Sequence, residues 1–116
     1  MKPNHPFSTR LKAARLAKAA KLKAMGEQGY SQERLGVDTG IEEATASVRV
    51  NQYEQGKHLP DLTQAIRFAD ALDVPLAYLF CVEDDLAELL RLAHGMTQMQ
   101  RAELNQIAKS LIGRLP

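Results

Sequence analysis

The sequence has no tryptophan, one cysteine, and only three phenylalanines and three tyrosines in 116 residues. A lone Cys81 excludes an internal disulfide framework and a multi-cysteine zinc site, and it suggests a reducing, cytoplasmic compartment. His5, His58 and His94 are scattered, so no two sit at a spacing that would place a metal-ligand pair on one helix face. No apolar run approaches the roughly 20 residues that cross a bilayer, and residues 1–7 lack the apolar stretch of a signal peptide. The chain is therefore expected to be neither embedded in a membrane nor exported. A Gly-rich phosphate loop, a Gly-x-Ser-x-Gly elbow, a His-Glu-x-x-His pair and a Cys-x-x-Cys pair are all missing, which argues against an enzyme and implies no cofactor or metal. Glu83-Asp84-Asp85 lacks the alternating ligands and central glycine of a calcium loop and reads as the start of a helix.

What is present is Leu, Ile, Val and Ala enough for one core, in a chain that buries somewhat over ~60% of its unfolded surface. The net charge of +1 conceals an asymmetry. Residues 1–25 carry seven basic residues and no acid (Lys2, Arg10, Lys12, Arg15, Lys18, Lys21, Lys23), whereas residues 61–90 carry seven acids against Arg67. Taken alone, the basic run is a solvated helix face as readily as a nucleic-acid surface.

No segment alternates with period two, and no hairpin turn pair occurs, so the chain reads as all-α with about seven helices. Ser8 or Thr9 is the expected cap of a helix over residues 10–25, which ends at Gly26 and Gly29. Ser31 caps a short second helix closed by Gly40. From Glu42 to Glu54, Ala46, Val50 and Tyr53 fall on one buried stripe, with Ala44, Thr45, Val48, Asn51 and Gln52 opposite. After a loop from Gln55 to Pro60, Asp61 caps a helix with Leu62, Ala65, Ile66, Ala69 and Leu72 on its apolar side. Pro75 opens a short helix through Phe80. Leu86, Leu89, Leu90 and Ala93 mark a further helix stopped by Gly95. Thr97 with Gln100 is a capping box for a last helix with Leu104, Ile107, Ala108 and Leu111 on one side.

Two short helices around a Gly-containing turn are the ingredients of a helix-turn-helix reader. Ser31-Gln32-x-x-Leu35, Gly40-Ile41, Asn51-Gln52-Tyr53-Glu54-Gln55-Gly56-Lys57, Pro60-Asp61, Ala69-x-x-Leu72-x-Val74 and Leu79-Phe80 come in an ordered series over about residues 30–80. That series resembles the Cro/C1-type (XRE-like) helix-turn-helix family. The resemblance implies a five-helix lambda-repressor-like DNA-binding domain over residues 8–82. Residues 83–115 then form a helical extension, a candidate dimerisation element through Leu86, Leu90, Leu104, Ile107 and Leu111, unless those residues only pack on their own core. The stretch from Gly40 to Glu54 is about four residues longer than the common family spacing, with residues 41–45 carrying the excess. Such an addition amounts to roughly one helical turn and keeps the same face outward. The first helix is also about ten residues longer than usual, which leaves Glu54 without an assigned basic partner.

Counted back from Glu54, the family's base-facing positions fall on Ser47, Val48 and Gln52, all away from the apolar stripe. Gln52 can pair bidentately with adenine, Ser47 can donate or accept, and Val48 can touch a thymine methyl group. The resemblance assigns DNA-backbone contacts to Gln32, Arg49, Asn51, Lys57 and His58, each of which can instead be a solvated or capping side chain. It leaves Tyr53 to the core and Glu54 to a link with the first helix. The implied function is a sequence-specific DNA-binding transcriptional regulator, a repressor, bound to double-stranded DNA as a homodimer on a partly palindromic operator. Two alternatives are an antitoxin-type autoregulator that also binds a toxin, and a helical protein-interaction module that does not read DNA.

Overall fold

The computed structural model describes residues 6–114. Lys2 and His5, and position 115 at the end of the expected helical extension, lie outside that range. Among the described residues the chain is entirely helical: α1 (Pro6–Ala24), α2 (Gln32–Asp38), α3 (Glu43–Glu54), α4 (Leu62–Leu72), α5 (Leu76–Leu79), α6 (Asp84–His94) and α7 (Gln98–Gly113). Side-chain oxygens of Ser31, Asp61 and Thr97 each accept from a backbone N–H in the first turn that follows, and Thr97 completes a capping box with Gln100. The expected cap at Ser8 or Thr9 is overturned, because α1 already begins at Pro6. Proline favours a first helical turn, and the earlier start carries Phe7 into the core.

The core is built where α1 to α5 converge. Phe7 and Leu11 of α1, Leu35 of α2, Val50 of α3, Phe68 of α4 and Leu79 of α5 are fully buried. Phe7 stacks obliquely on Phe68 and Phe80, with ring centres 6.1 and 5.4 Å away, while Tyr53 meets Phe68 edge-on at 5.5 Å. Truncating such an aromatic core residue costs several kcal/mol in general. Part of the expected apolar side of α4 stays outside, since Leu62 and Ile66 are exposed.

The cationic run of α1 is not a uniformly solvated face. Arg10 donates to the carbonyls of Cys81 and Val82 at 3.1 and 3.2 Å and lies 2.9 Å from the Asp84 carboxylate, tying α1 to the α5–α6 connection. Lys18 Nζ donates to the Ala71 carbonyl at 2.6 Å, near the negative end of the α4 dipole, and lies 4.2 Å from the Tyr30 ring centre. Arg15 also turns inward. Only Lys12, Lys21 and Lys23 of the described run are exposed.

Tyr30 is 2% exposed, and its hydroxyl donates to Asp38 Oδ2 at 2.6 Å. Burial first, and then that carboxylate, hold its proton more tightly than in a free tyrosine, against a smaller opposing pull from Arg34. The unfolded chain releases this proton near pH ~10 and the native chain does not. The stabilisation is therefore intact below about pH 10 and lost as pH rises beyond it. Tyr30→Phe is expected to flatten the alkaline fall in stability, read from urea midpoints on either side of about pH 10.

Beyond the core, α6 contributes Ala87 as its one buried residue and α7 contributes none. Arg101 of α7 donates to the carbonyls of Ala93 and His94 at 2.7 and 2.9 Å, closing off the end of α6 and fixing the elbow between the two helices. The radius of gyration of 16.3 Å exceeds the ~13 Å of a compact chain of about this length because α7 projects from the body.

Candidate nucleic-acid interface

α2 and α3 pack closely because Gly36 faces Ala46. A β-carbon at Gly36 would lie 2.7 Å from that of Ala46 and 3.1 Å from its backbone, so glycine is what permits this approach. The connecting turn needs Gly40 at φ +92°, a region that L-residues rarely adopt. Ile41 follows as a buried plug, with its N–H donating to the Gly36 carbonyl at 2.9 Å. The residues that lengthen this segment thus become an anchored lead-in, Ile41-Glu42, and the first turn of α3. Thr39, itself buried, donates to the Gly36 carbonyl and accepts from Gln64 of α4, both at 2.9 Å.

One ion pair locks α3 to α1. The Glu54 side chain is 2% exposed and accepts from Arg15 Nε at 2.6 Å and from the second Arg15 nitrogen, Nη2, at 3.1 Å. The third arm of the same guanidinium donates to the Tyr30 carbonyl at 3.0 Å. The link from Glu54 to the first helix is the one that the family resemblance implies, and Arg15 is its partner. The available signal was position, because Arg15 follows Leu11 by four residues and so lies on the buried side of α1. Gln32 extends the network, its amide nitrogen donating to Glu54 Oε1 at 3.0 Å and to Asn51 Oδ1 at 3.1 Å.

Ala46, Val50, Tyr53 and Glu54 fill the inner side of α3. On the outer side, Ser47, Val48 and Arg49 are exposed, Val48 at 61%, while Asn51 and Gln52 are half-buried. The Gln52 amide makes no hydrogen bond within the described residues. Asn51 spends its carbonyl on Gln32, and its NH₂ group makes no hydrogen bond within the described residues. Arg49 donates to the Tyr53 hydroxyl at 3.3 Å, one turn along α3. Both Gln32 amide hydrogens are engaged, so the groups left to donate at the start of α2 are backbone N–H groups. Lys57 and His58 are exposed on the loop after α3. Ser47, Val48, Asn51 and Gln52 therefore share one surface, flanked by Arg49 and by the Lys57-His58 loop. Glu42 and Glu43 are exposed at the start of α3, where they complement its dipole.

Residues 20–79 match the helix-turn-helix family. The chain belongs to the Cro/C1-type helix-turn-helix family, whose members bind DNA. The crystal structure of the transcriptional regulator BswR superposes on this helix-turn-helix chain with a TM-score of 0.79 at 40% identity, over 91% of this chain and 95% of that one. The likeness thus extends beyond the helix-turn-helix core into α6 and α7. No curated protein matches the chain. Among the described residues, no helix is long and apolar enough to cross a membrane.

Proposed function

We propose that the chain is a sequence-specific DNA-binding transcriptional regulator, a repressor that occupies a partly palindromic operator as a homodimer. The observation that carries this reading is the outward side of α3, with Ser47 and Val48 exposed and Asn51 and Gln52 half-buried, held from behind by the Arg15–Glu54–Gln32 network and the Gly36–Ala46 approach. A helix so held can enter the major groove, where each base pair offers a distinct pattern of donors, acceptors and methyl groups. Gln52 reads adenine through its unengaged amide, with Ser47 and Val48 beside it. Asn51, Arg49, Lys57, His58 and the first turn of α2 at Gln32 meet phosphates on either side.

The homodimer reading is supported by α6 and α7. Of the expected set, Leu90 packs partly against the chain's own core and Leu104 is half-buried, whereas Leu86, Ile107 and Leu111 are 44–55% exposed, and Leu89, Leu92 and Ile112 beside them are exposed too. Apolar surface of this kind commonly marks an interface. Two copies joined there would present two reading helices to half-sites about one duplex turn, ~34 Å, apart.

Selection of bound duplexes from a random pool is the test. A half-site repeated in inverted orientation is expected, and Gln52→Ala should relax preference at one position per half-site by about 1–3 kcal/mol. With about five phosphates neutralised per bound unit, the log–log dependence of affinity on salt should have a slope near roughly −4 to −5. A helical interaction module that does not read DNA would give neither a consensus nor that slope.

A further inference from the structure

Away from the reading face, α1, the turn between α4 and α5, and the last turn of α6 enclose an open groove of about 900 Å³. That volume is within the range of small-molecule sites. Its walls are apolar, with Ala13, Ala17, Leu22 and Val74 prominent. One polar group in the wall is unusual. Tyr78 is only 7% exposed, yet its hydroxyl forms no hydrogen bond within the described residues. No sealed polar atom among those residues lacks a partner, so this hydroxyl is not cut off from solvent, and Tyr78 lines the groove. Burial raises the Tyr78 pKa. Of the charged side chains lining the groove, Lys18 is engaged by the Ala71 carbonyl and Asp73 faces His94 at 3.1 Å. Arg91 is held in place by Glu88 from outside the lining, and Lys21 has no ion pair or hydrogen bond within the described residues.

We propose that this groove binds an amphipathic organic anion, its apolar body lying along α1 and its carboxylate drawn to the unpaired Lys21 ammonium at the rim and accepting from the Tyr78 hydroxyl. Charge selects this occupant over the other apolar one available, the α7 helix of a second copy. That helix carries Arg101 and Lys109 against Glu103, with Arg114 as its C-cap, and would bring like charge to the Lys21 rim. An uncharged amphiphile would bury the same apolar surface but leave the Tyr78 hydroxyl and the Lys21 ammonium without a charged acceptor.

The test is a titration of the isotope-labelled full chain with sodium decanoate, monitored by amide chemical shifts, and in parallel with decyltrimethylammonium, which has the same tail and the opposite charge. Decanoate below its micelle-forming concentration is expected to give saturable shifts centred on Ala13, Ala17, Leu22 and Val74, and the cationic amphiphile none. Tyr78→Phe should weaken decanoate about tenfold, the value of one hydrogen bond to a charged group. Lys21→Glu, at an exposed helix position that tolerates change, should weaken it further while leaving the unfolding midpoint in place. The proposal is overturned if both amphiphiles bind alike, if Tyr78→Phe and Lys21→Glu bind decanoate as well as the parent, or if saturable shifts are missing or fall on α7 instead. It is equally overturned if the groove amides shift with protein concentration alone, which would mean that a second copy fills the site.

Discussion

Glu54→Ala is expected to remove about 3–5 kcal/mol of folding free energy, a large part of the stability of a domain this size. The substitution deletes an acceptor that takes two bonds from Arg15 and one from Gln32. It strands a guanidinium whose side chain is only 12% exposed. A surface pair would contribute about 0–1 kcal/mol, so the size of the loss distinguishes a desolvated charge from a solvated one. Replacing both partners, Arg15→Met with Glu54→Leu, should recover most of the loss, because no charge is then left unpaired. Urea unfolding of the two variants measures both effects. A loss below about 1 kcal/mol for Glu54→Ala would mean that water solvates the bridge and that it does not fix α3 to α1.

A second large effect is expected from Ile107→Glu combined with Leu111→Glu on α7. Both side chains are more than half exposed in the single chain, so charge there costs little in the monomer's own packing. In a dimer joined through α6 and α7, the same carboxylates would be driven into an apolar interface. The double variant should sediment as a monomer. Its affinity for a duplex with two half-sites should fall by about 10²–10⁴, the advantage that joining two binding units confers. Binding to a single half-site should be unchanged. A double variant that stays dimeric would show that the copies associate elsewhere, and the exposed Leu62 and Ile66 of α4 would become the next surface to test.

Much of the architecture was legible because local rules decide it. Ser31, Asp61 and Thr97 cap helices as short side chains do wherever a helix begins after an extended residue. Ala46, Val50 and Tyr53 are buried together because their spacing leaves no other side of α3 for a core. The start of α1 was misread because Ser8 and Thr9 are good caps, yet Pro6 begins a helix equally well and Phe7 gains by being drawn into the core. The apolar stripes of α6 and α7 were equally visible, but periodicity identifies an apolar face and not what covers it.

The sequence by itself determined the helical class, the order of the helices, and the side of α3 that can face outward, because propensity, capping and period act within a few residues of chain. Only the tertiary structure decided how Arg10, Arg15 and Lys18 are used. Linear charge cannot tell a solvated lysine or arginine from one that reaches across the fold to a carbonyl or a buried carboxylate 39 to 72 residues away. It also decided that Gln32 braces Asn51 and Glu54, that α7 stands clear of the core, and that Tyr78 and Lys21 line one groove. Each of these depends on distances between segments remote in sequence, which close packing sets and local pattern does not encode.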